Sequence, residues 1–299
     1  MSNLSAIEMA GLAGEYWGKN DSKGFGNLFS EDAIIDHPFF TKGVSPNTVI
    51  DVLNCTVCGT TVYDGCKLIN GTGDGIDDLI EMKFIDSGEN SGYTPQYAGR
   101  MVIEATIKNH KFTKFEVPGY ELIQYNPTSE RELKEVDIGD IDTKELVKLV
   151  GQAWANNNMG LFLSLFSEKG IIYHPLFKTP ITPIIAADVL NSAMNGVSIP
   201  HKPKILKGDG SGVNDTVDMY FDETGDELGY LPDNMGIMHI TAKIENHKFV
   251  EFLVHGYTPT KSISKTIHQK VLRKYRKKNM QLFQEIQINR NHNIYINKI

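Results

Sequence analysis

Cysteine is scarce in this sequence, and its scarcity excludes a structural zinc site. The three cysteines are Cys55, Cys58 and Cys66, of which the first two form a C-x-x-C pair. Such a pair could be redox-active or could supply half of a zinc site. A structural zinc ion needs four ligands, however, and the sequence has no second C-x-x-C or H-x₃-H pair to complete them. We therefore expect buried thiols, with no bound metal and no cofactor.

Long apolar runs are also absent, which excludes a membrane-spanning helix. A span needs about 20 consecutive apolar residues. Instead, 40% of the residues are hydrophobic and 22% are charged, a composition typical of globular proteins. The N-terminal segment lacks the basic start and continuous apolar stretch of a signal peptide, so we expect a cytoplasmic location.

Acidic residues outnumber basic residues in this sequence except at the C-terminal end. The net charge is −7, yet residues 261–299 carry ten Lys or Arg side chains and a single Glu. The preceding 260 residues carry 20 basic and 36 acidic side chains, which argues against nucleic-acid binding by the folded part. The basic tail has apolar residues spaced as on an amphipathic helix. It could contact an anionic membrane or a partner, or remain solvated.

The sequence contains a tandem duplication of one domain. When the chain is shifted by 137 positions, about 45 of 116 aligned residues are identical and no gap is needed. A repeat of this length is a whole domain and not a solenoid unit. We predict domain 1 over residues 1–125, an acidic linker over 126–141, domain 2 over 142–260 and the basic tail over 261–299.

Each copy changes its hydrophobic period along its length. Ser5-x-x-Glu8 and Asp142-x-x-Glu145 have the spacing of a helix capping box, and apolar residues then recur at helical intervals. Later segments alternate with period two between Gly-rich or Asn-containing turns. The order helix, helix, strand, helix and antiparallel meander predicts an α+β fold. In it, a curved sheet wrapped by N-terminal helices encloses a pocket.

One stretch carries a family resemblance. "LFSEDAIIDHPFF" (28–40) follows a helix that contains Trp17 and precedes a meander with an Asn-His-Lys-Phe hairpin. This arrangement resembles the SnoaL-like branch of the NTF2-like superfamily, and both copies share it. The resemblance implies two cone-shaped domains, each with an apolar pocket for a small hydrophobic ligand, paired within the chain as a pseudo-dimer. The family includes polyketide cyclases, ketosteroid isomerases, dehydratases and epoxide hydrolases, but also non-catalytic transport and association modules.

The resemblance points to His37 and His174 as candidate catalytic residues. In the ketosteroid isomerase branch, the residue before this proline is an Asp that acts as general base, whereas both copies here have His. Histidine is a competent base near neutral pH. Alternate strand residues share a face, so His37 lies with Ile35 and Phe39, and burial would keep its imidazole neutral. Alternatively, His-Pro only ends the strand, with the ring bonded to the backbone.

The partner of this histidine is harder to find. The strand that carries a second acid in ketosteroid isomerases is apolar on one face in both copies, so any donor to an oxyanion must come from elsewhere. The predicted pocket comprises the helix tryptophans, the tyrosines of two turns, one Phe and the apolar strand positions: Trp17, Trp154, Tyr93, Tyr230, Phe39, Met101, Ile103, Met238 and Ile240. The tryptophans could equally be core anchors.

Two functional hypotheses follow from these residues. The first is a cofactor-free isomerase, cyclase or dehydratase acting on a hydrophobic carbonyl compound, with His37 and His174 as acid–base groups. The second is a non-catalytic module that binds a hydrophobic ligand or mediates protein association. The histidine held in both copies favours the first, and the missing acid favours the second.

Overall fold

The computed structural model describes residues 3–19, 21–50, 60–87, 96–126, 136–156, 158–187, 197–224 and 235–259. Within these residues each copy consists of three helices and a six-stranded sheet, so the predicted α+β class is confirmed. The C-x-x-C pair and the basic tail lie outside the described residues, and so does most of the predicted linker.

The two copies present the same elements in the same order. The first contains α1 (Ala6–Gly18), α2 (Ser22–Gly26), β1 (Phe29–Asp36), α3 (Pro46–Val49), β2 (Thr60–Asn70), β3 (Asp77–Ser87), β4 (Gln96–Lys108), β5 (Lys111–Glu116) and β6 (Tyr120–Asn126). The second contains α4 (Thr143–Ala155), α5 (Met159–Ser164), β7 (Phe166–Tyr173), α6 (Pro183–Ile185), β8 (Val197–Pro200), β9 (Lys204–Lys207), β10 (Asn214–Thr224), β11 (Met235–Glu245) and β12 (Lys248–Pro259). The β12 strand runs without interruption through the stretch that is divided into β5 and β6 in the first copy.

The predicted antiparallel meander forms in both copies, and the strand that leads to each histidine pairs with the edge of the meander in parallel. The first sheet has the order β1-β5-β4-β3-β2 with β6 on β4, and the second has the order β7-β12-β11-β10-β8 with β9 on β10. The pairs β1–β5 and β7–β12 are parallel. Each strand that leads to a histidine therefore lies at an edge of its sheet. The partner strand is β5, which precedes Gly119-Tyr120, in the first copy and β12, which contains Gly256-Tyr257, in the second.

The predicted helix caps form at both first helices. The Ser5 hydroxyl accepts a hydrogen bond from the Glu8 N–H (3.3 Å), and the Glu8 carboxylate accepts one from the Ser5 N–H (2.8 Å). At the second copy the Asp142 carboxylate accepts from the Glu145 N–H (2.8 Å). These contacts satisfy amides that have no partner within the helix, and each cap is worth about 1 kcal/mol.

The Gly-rich loops before β3 and β10 are turns held by a buried aspartate. The Asp215 carboxylate accepts from the amides of Gly210 (3.0 Å) and Gly212 (2.7 Å) and from the Thr143 hydroxyl, which begins α4. Burial pushes the pKa of Asp215 upward, but these hydrogen bonds outweigh burial and leave the pKa below its ordinary value. The carboxylate thereby ties the loop to the first helix.

The core lies between the helices and the inner face of each sheet. Along β10 the alternate residues Val217, Met219 and Phe221 are at most 2% exposed, as period-two strand geometry predicts. Burying a large apolar side chain stabilises the fold by about 1.5–3 kcal/mol. None of the described helices is both long and apolar enough to cross a bilayer.

Candidate active site

Each candidate histidine stands directly after an edge strand, and its ring is fixed by the backbone that follows. The Phe39 N–H donates a hydrogen bond to His37 Nδ1 (3.2 Å), and the Leu176 N–H donates one to His174 Nδ1 (3.2 Å). An Nδ1 that accepts a hydrogen bond carries no proton, so the proton of the neutral ring lies on Nε2. The ring–backbone bond considered in the sequence analysis is therefore present in both copies.

Both imidazoles are neutral at physiological pH. Desolvation by burial lowers the pKa of His37 to about 4. Burial likewise lowers the pKa of His174 to about 3, with an added contribution from the nearby His37. Each ring therefore offers an Nε2–H donor, while its other nitrogen is already engaged.

In the second copy, His174 faces a cavity between the helices and the sheet. The empty space, including its opening to solvent, is about 560 Å³. Its polar side chains are those of His174, Ser198 and Glu223. The rest of the wall is apolar or aromatic, with contributions from α4, α5 and four strands, including Val150, Trp154, Phe162, Phe221, Met238 and Ile240. Few polar groups in an apolar wall are typical of a small-molecule site.

Glu223 is the acid that the sequence analysis did not find. It is 8% exposed, and its Oε1 accepts a hydrogen bond from the Ser198 hydroxyl (3.4 Å). Its Oε2 is buried and has no hydrogen-bond partner among the described residues. Burial raises the pKa of this carboxyl group to about 7. A buried carboxyl group that titrates near neutrality in a cavity is typical of a functional acid or base.

The sequence carries a signal for this acid on β10, the strand next to β11. The inward series of β10 ends Met219, Phe221, Glu223, and the residue aligned with Glu223 in the first copy is Asp86. Both copies thus place an acid at the end of a period-two apolar series. The family resemblance places a second acid on β4 and β11, but the sequence has none there, and the inner face of these strands is apolar in the structure.

The remaining predicted pocket residues are divided between the cavity and the core. Trp154, Met238 and Ile240 line the cavity. Trp17 packs on Phe25 with ring centroids 4.9 Å apart, and on β4 Ile103 is buried while Met101 is half-buried. Phe39 is buried and stacks on Tyr257, with ring centroids 5.2 Å apart. Tyr93 and Tyr230 lie outside the described residues.

Three further histidines of the second copy lie on the outer face of the sheet. His201 and His239 pair with Asp222 (2.9 Å) and Asp218 (2.6 Å), and His255 Nε2 lies 2.8 Å from the Thr241 hydroxyl. The described part of the chain contains no group of three or more side chains suited to hold a metal ion.

The chemical capability of the cavity comes from two of its polar groups, His174 and Glu223, which have opposite roles. The His174 Nε2–H can donate to a carbonyl oxygen, and this interaction strengthens as negative charge develops there. Glu223, with a pKa near the ambient pH, can accept a proton in one step and return it in the next. Apolar walls around two groups tuned in opposite directions favour proton transfer at carbon.

Comparison with known proteins gives matches in structure only. The chain matches no protein-family model and no curated protein sequence. Its structure resembles a polyketide cyclase-like protein from Pseudomonas putida, with 14% identity over 41% of this chain and 92% of the other and a TM-score of 0.30. A polyketide cyclase-like protein from Sinorhizobium meliloti has 11% identity over 37% and 93% and a TM-score of 0.28. An LEH-like epoxide hydrolase from Mycobacterium tuberculosis has 9% identity over 38% and 80% and a TM-score of 0.28. No functional conclusion rests on similarities this low.

Proposed function

We propose that the protein is a cofactor-free isomerase, cyclase or dehydratase acting on a hydrophobic carbonyl compound, with Glu223 as the acid–base group. The observation that carries this proposal is the buried Glu223 carboxyl group, which shares an apolar cavity with the Nε2–H of His174. We assign the base role to Glu223 and not to the histidine, because His174 Nδ1 already accepts a hydrogen bond from the Leu176 N–H.

The reaction begins with proton transfer from carbon to Glu223. The carboxylate removes a proton from the carbon next to the substrate carbonyl, and the electron pair of the broken C–H bond forms the carbon–carbon double bond of an enolate. The negative charge moves to the carbonyl oxygen, where the His174 Nε2–H donates to it. Glu223, now protonated, returns the proton to the original or a conjugated carbon and regenerates the carboxylate.

Deuterium exchange tests this proposal without knowledge of the natural substrate. The full chain is incubated in D₂O with a panel of aryl ketones, cyclic enones and 1,3-dicarbonyl compounds, and deuterium uptake next to the carbonyl is followed by mass spectrometry. For any compound that exchanges, Glu223→Gln should slow uptake by about 10²-fold or more, the contribution of a positioned base. His174→Phe, which removes the donor to the oxyanion, should slow it by about 10²–10³-fold.

A matched control lies beside Glu223 on the same strand. Asp222 points to the outer face and pairs with His201, so Asp222→Asn removes a carboxylate without touching the cavity. This variant should exchange at the wild-type rate. Undiminished exchange in Glu223→Gln, or an equal loss in both variants, would refute the assignment of Glu223 as the base.

The second candidate is a non-catalytic module that binds a hydrophobic ligand. The inner face of β11 favours it, because Met238 and Ile240 offer the cavity only apolar contacts. Binding of the panel compounds without deuterium uptake in the wild-type chain would support this candidate over the enzyme.

A further inference from the structure

The two copies touch through the turns that follow their histidines. We call residues 37–41 and 174–178 the histidine turns. In the second copy's histidine turn, the Leu176 carbonyl accepts a hydrogen bond from the Tyr120 N–H of the first copy (2.6 Å). The Lys178 N–H of the same turn donates to the Tyr120 carbonyl (3.3 Å). A single residue of the first copy therefore holds this turn at two points.

The reverse contact has the same form. The Tyr257 N–H of the second copy donates to the Phe39 carbonyl (2.7 Å), and the Thr41 N–H donates to the Tyr257 carbonyl (3.1 Å). Each contact is also an isolated parallel β-bridge, Tyr120 with Phe177 and Phe40 with Tyr257. Each copy therefore holds the histidine turn of the other copy by the same pair of backbone hydrogen bonds.

The residue held across this contact is the residue that orients the histidine. Leu176 donates its N–H to His174 Nδ1 and offers its carbonyl to Tyr120 of the other copy. Phe39 does the same between His37 and Tyr257. Movement of either tyrosine backbone would shift the residue that fixes the opposite ring.

A glycine stands immediately before each of these tyrosines and sets the direction of the tyrosine N–H. Gly119 has φ +109° and Gly256 has φ +123°, in the region that side chains other than glycine rarely adopt. A Cβ at Gly119 would lie 3.4 Å from the Leu176 carbonyl oxygen, and one at Gly256 would lie 3.2 Å from that of Phe39. A side chain there would strain the backbone and crowd the opposite histidine turn.

We propose that each Gly-Tyr pair is a positioning element for the histidine of the other copy. Gly119-Tyr120 sets the ring orientation of His174, and Gly256-Tyr257 sets that of His37. The role in catalysis rests on the proposed function, because only there does the direction of the His174 Nε2–H matter to a substrate. The geometric part does not depend on any activity.

A crossed pattern of effects in the full chain tests the proposal. Gly119→Ala and Gly256→Ala are compared with Gly65→Ala, whose φ of +118° imposes similar strain but whose Cβ would meet nothing within 4 Å. Two-bond ¹⁵N–¹H spectra report which ring nitrogen of each histidine is protonated, and His37→Gln and His174→Gln assign the signals. We expect Gly119→Ala to replace the single Nε2–H pattern of His174 with a mixture while leaving His37 unchanged. Gly256→Ala should do the opposite, and Gly65→Ala should change neither.

The outcomes that overturn the proposal are equally distinct. A change in the histidine of the same copy, in both histidines together or in neither would show that the Gly-Tyr pair does not position the opposite ring. If an alanine variant does not fold, replacement of Tyr120 or Tyr257 by its α-hydroxy acid removes the N–H donor without adding a side chain at the glycine, and the same spectra decide.

Deuterium exchange separates this proposal from the proposed function. In Gly119→Ala we expect exchange in the second copy's cavity to fall roughly ten- to hundredfold, as misplacement of a catalytic group does. If Glu223→Gln fails to affect exchange, the proposed function is wrong, whereas the crossed spectra still decide the positioning role. If the spectra show no crossed effect, the positioning role is wrong whatever Glu223 does.

Discussion

Replacement of Glu223 by Gln should stabilise the folded protein above pH 7 even as it removes the proposed base. Burial raises the pKa of this carboxyl group from its ordinary value of 4.5 to about 7. Between these values the folded chain retains a proton that the unfolded chain has released. The contribution of Glu223 to the wild-type free energy of unfolding therefore falls as pH rises from 4.5 through 7, and the whole loss is present above that range.

The expected size of this effect follows from the two pKa values. A pKa raised from 4.5 to about 7 corresponds to about 3 kcal/mol, an upper estimate since the cavity can admit water. Glutamine keeps the shape and the Ser198 hydrogen bond but carries no charge. The variant and the wild type should thus differ little near pH 4.5, and the variant should gain up to about 3 kcal/mol near pH 8.

The two candidate histidines do not obscure this comparison. Their pKa values lie below the ordinary 6.5, so the unfolded chain takes up protons first and both proteins lose stability as pH falls below about 6.5. Because this loss is common to the wild type and the variant, it cancels in their difference. The difference as a function of pH therefore reports on Glu223 alone.

Urea unfolding followed by circular dichroism at a series of pH values measures the effect. Asp222→Asn serves as the control, because its carboxylate lies on the outer face of the same strand. The slope of free energy against urea must stay constant for the midpoints to be compared. A difference between Glu223→Gln and wild type that stays constant from acid to alkaline pH would show that the carboxyl group has an ordinary pKa. Glu223 would then be fully ionised at neutral pH and poorly suited to exchange protons there.

Three further predictions concern other parts of the second copy. His174→Gln should lose less stability than the wild type as pH falls from about 6.5 toward 4, because the unfolded variant has one fewer imidazole to protonate; parallel urea curves for the two proteins would contradict this. Asp215→Asn should destabilise the fold by about 1–3 kcal/mol, because it weakens the hydrogen bonds to two glycine amides and to Thr143. Asp209→Asn, on the exposed part of the same loop, should not destabilise it. Equal urea midpoints for the two variants would contradict the tie between the loop and α4. Gly151→Ala places a Cβ 2.9 Å from the Phe221 ring at the cavity wall and should weaken binding of an apolar fluorescent ligand. Gly11→Ala, whose Cβ would meet nothing within 4 Å, should leave binding unchanged. Unchanged affinity in Gly151→Ala would show that the ligand lies elsewhere.

The features that were predictable from the sequence are those that local residues determine. The capping residues Ser5 and Asp142 act within one helical turn, and the period-two alternation of β10 follows from strand geometry. The parallel pairing of β1 with β5 was not predictable in this way. About 80 residues separate the two strands, and their hydrophobic pattern is the same for either direction.

The acid was missed for a related reason. The inward face of a strand can be recognised from alternation, but which strand brings an acid to the mouth of the cavity depends on pairing and register. Glu223 pairs with Gly236 on β11, four residues before Ile240, one of the positions predicted to line the pocket. The neighbouring Asp222 points to the outer face, and a register shift of one residue would exchange the faces on which Asp222 and Glu223 lie.

The contact between the copies also gives a reason for which residues the copies share. His-Pro and Gly-Tyr are identical in both copies, and each tyrosine bonds through its backbone to residues that follow the His-Pro pair of the other copy. On the outer face of the sheets the copies differ freely, with Tyr220, His239 and His255 standing where the first copy has Lys83, Val102 and Pro118. By the proposed positioning role, a change in a Gly-Tyr pair would disturb the histidine turn of the other copy, to which it is bonded. The repeated sequence phrase around each histidine is therefore one half of a contact that needs both copies.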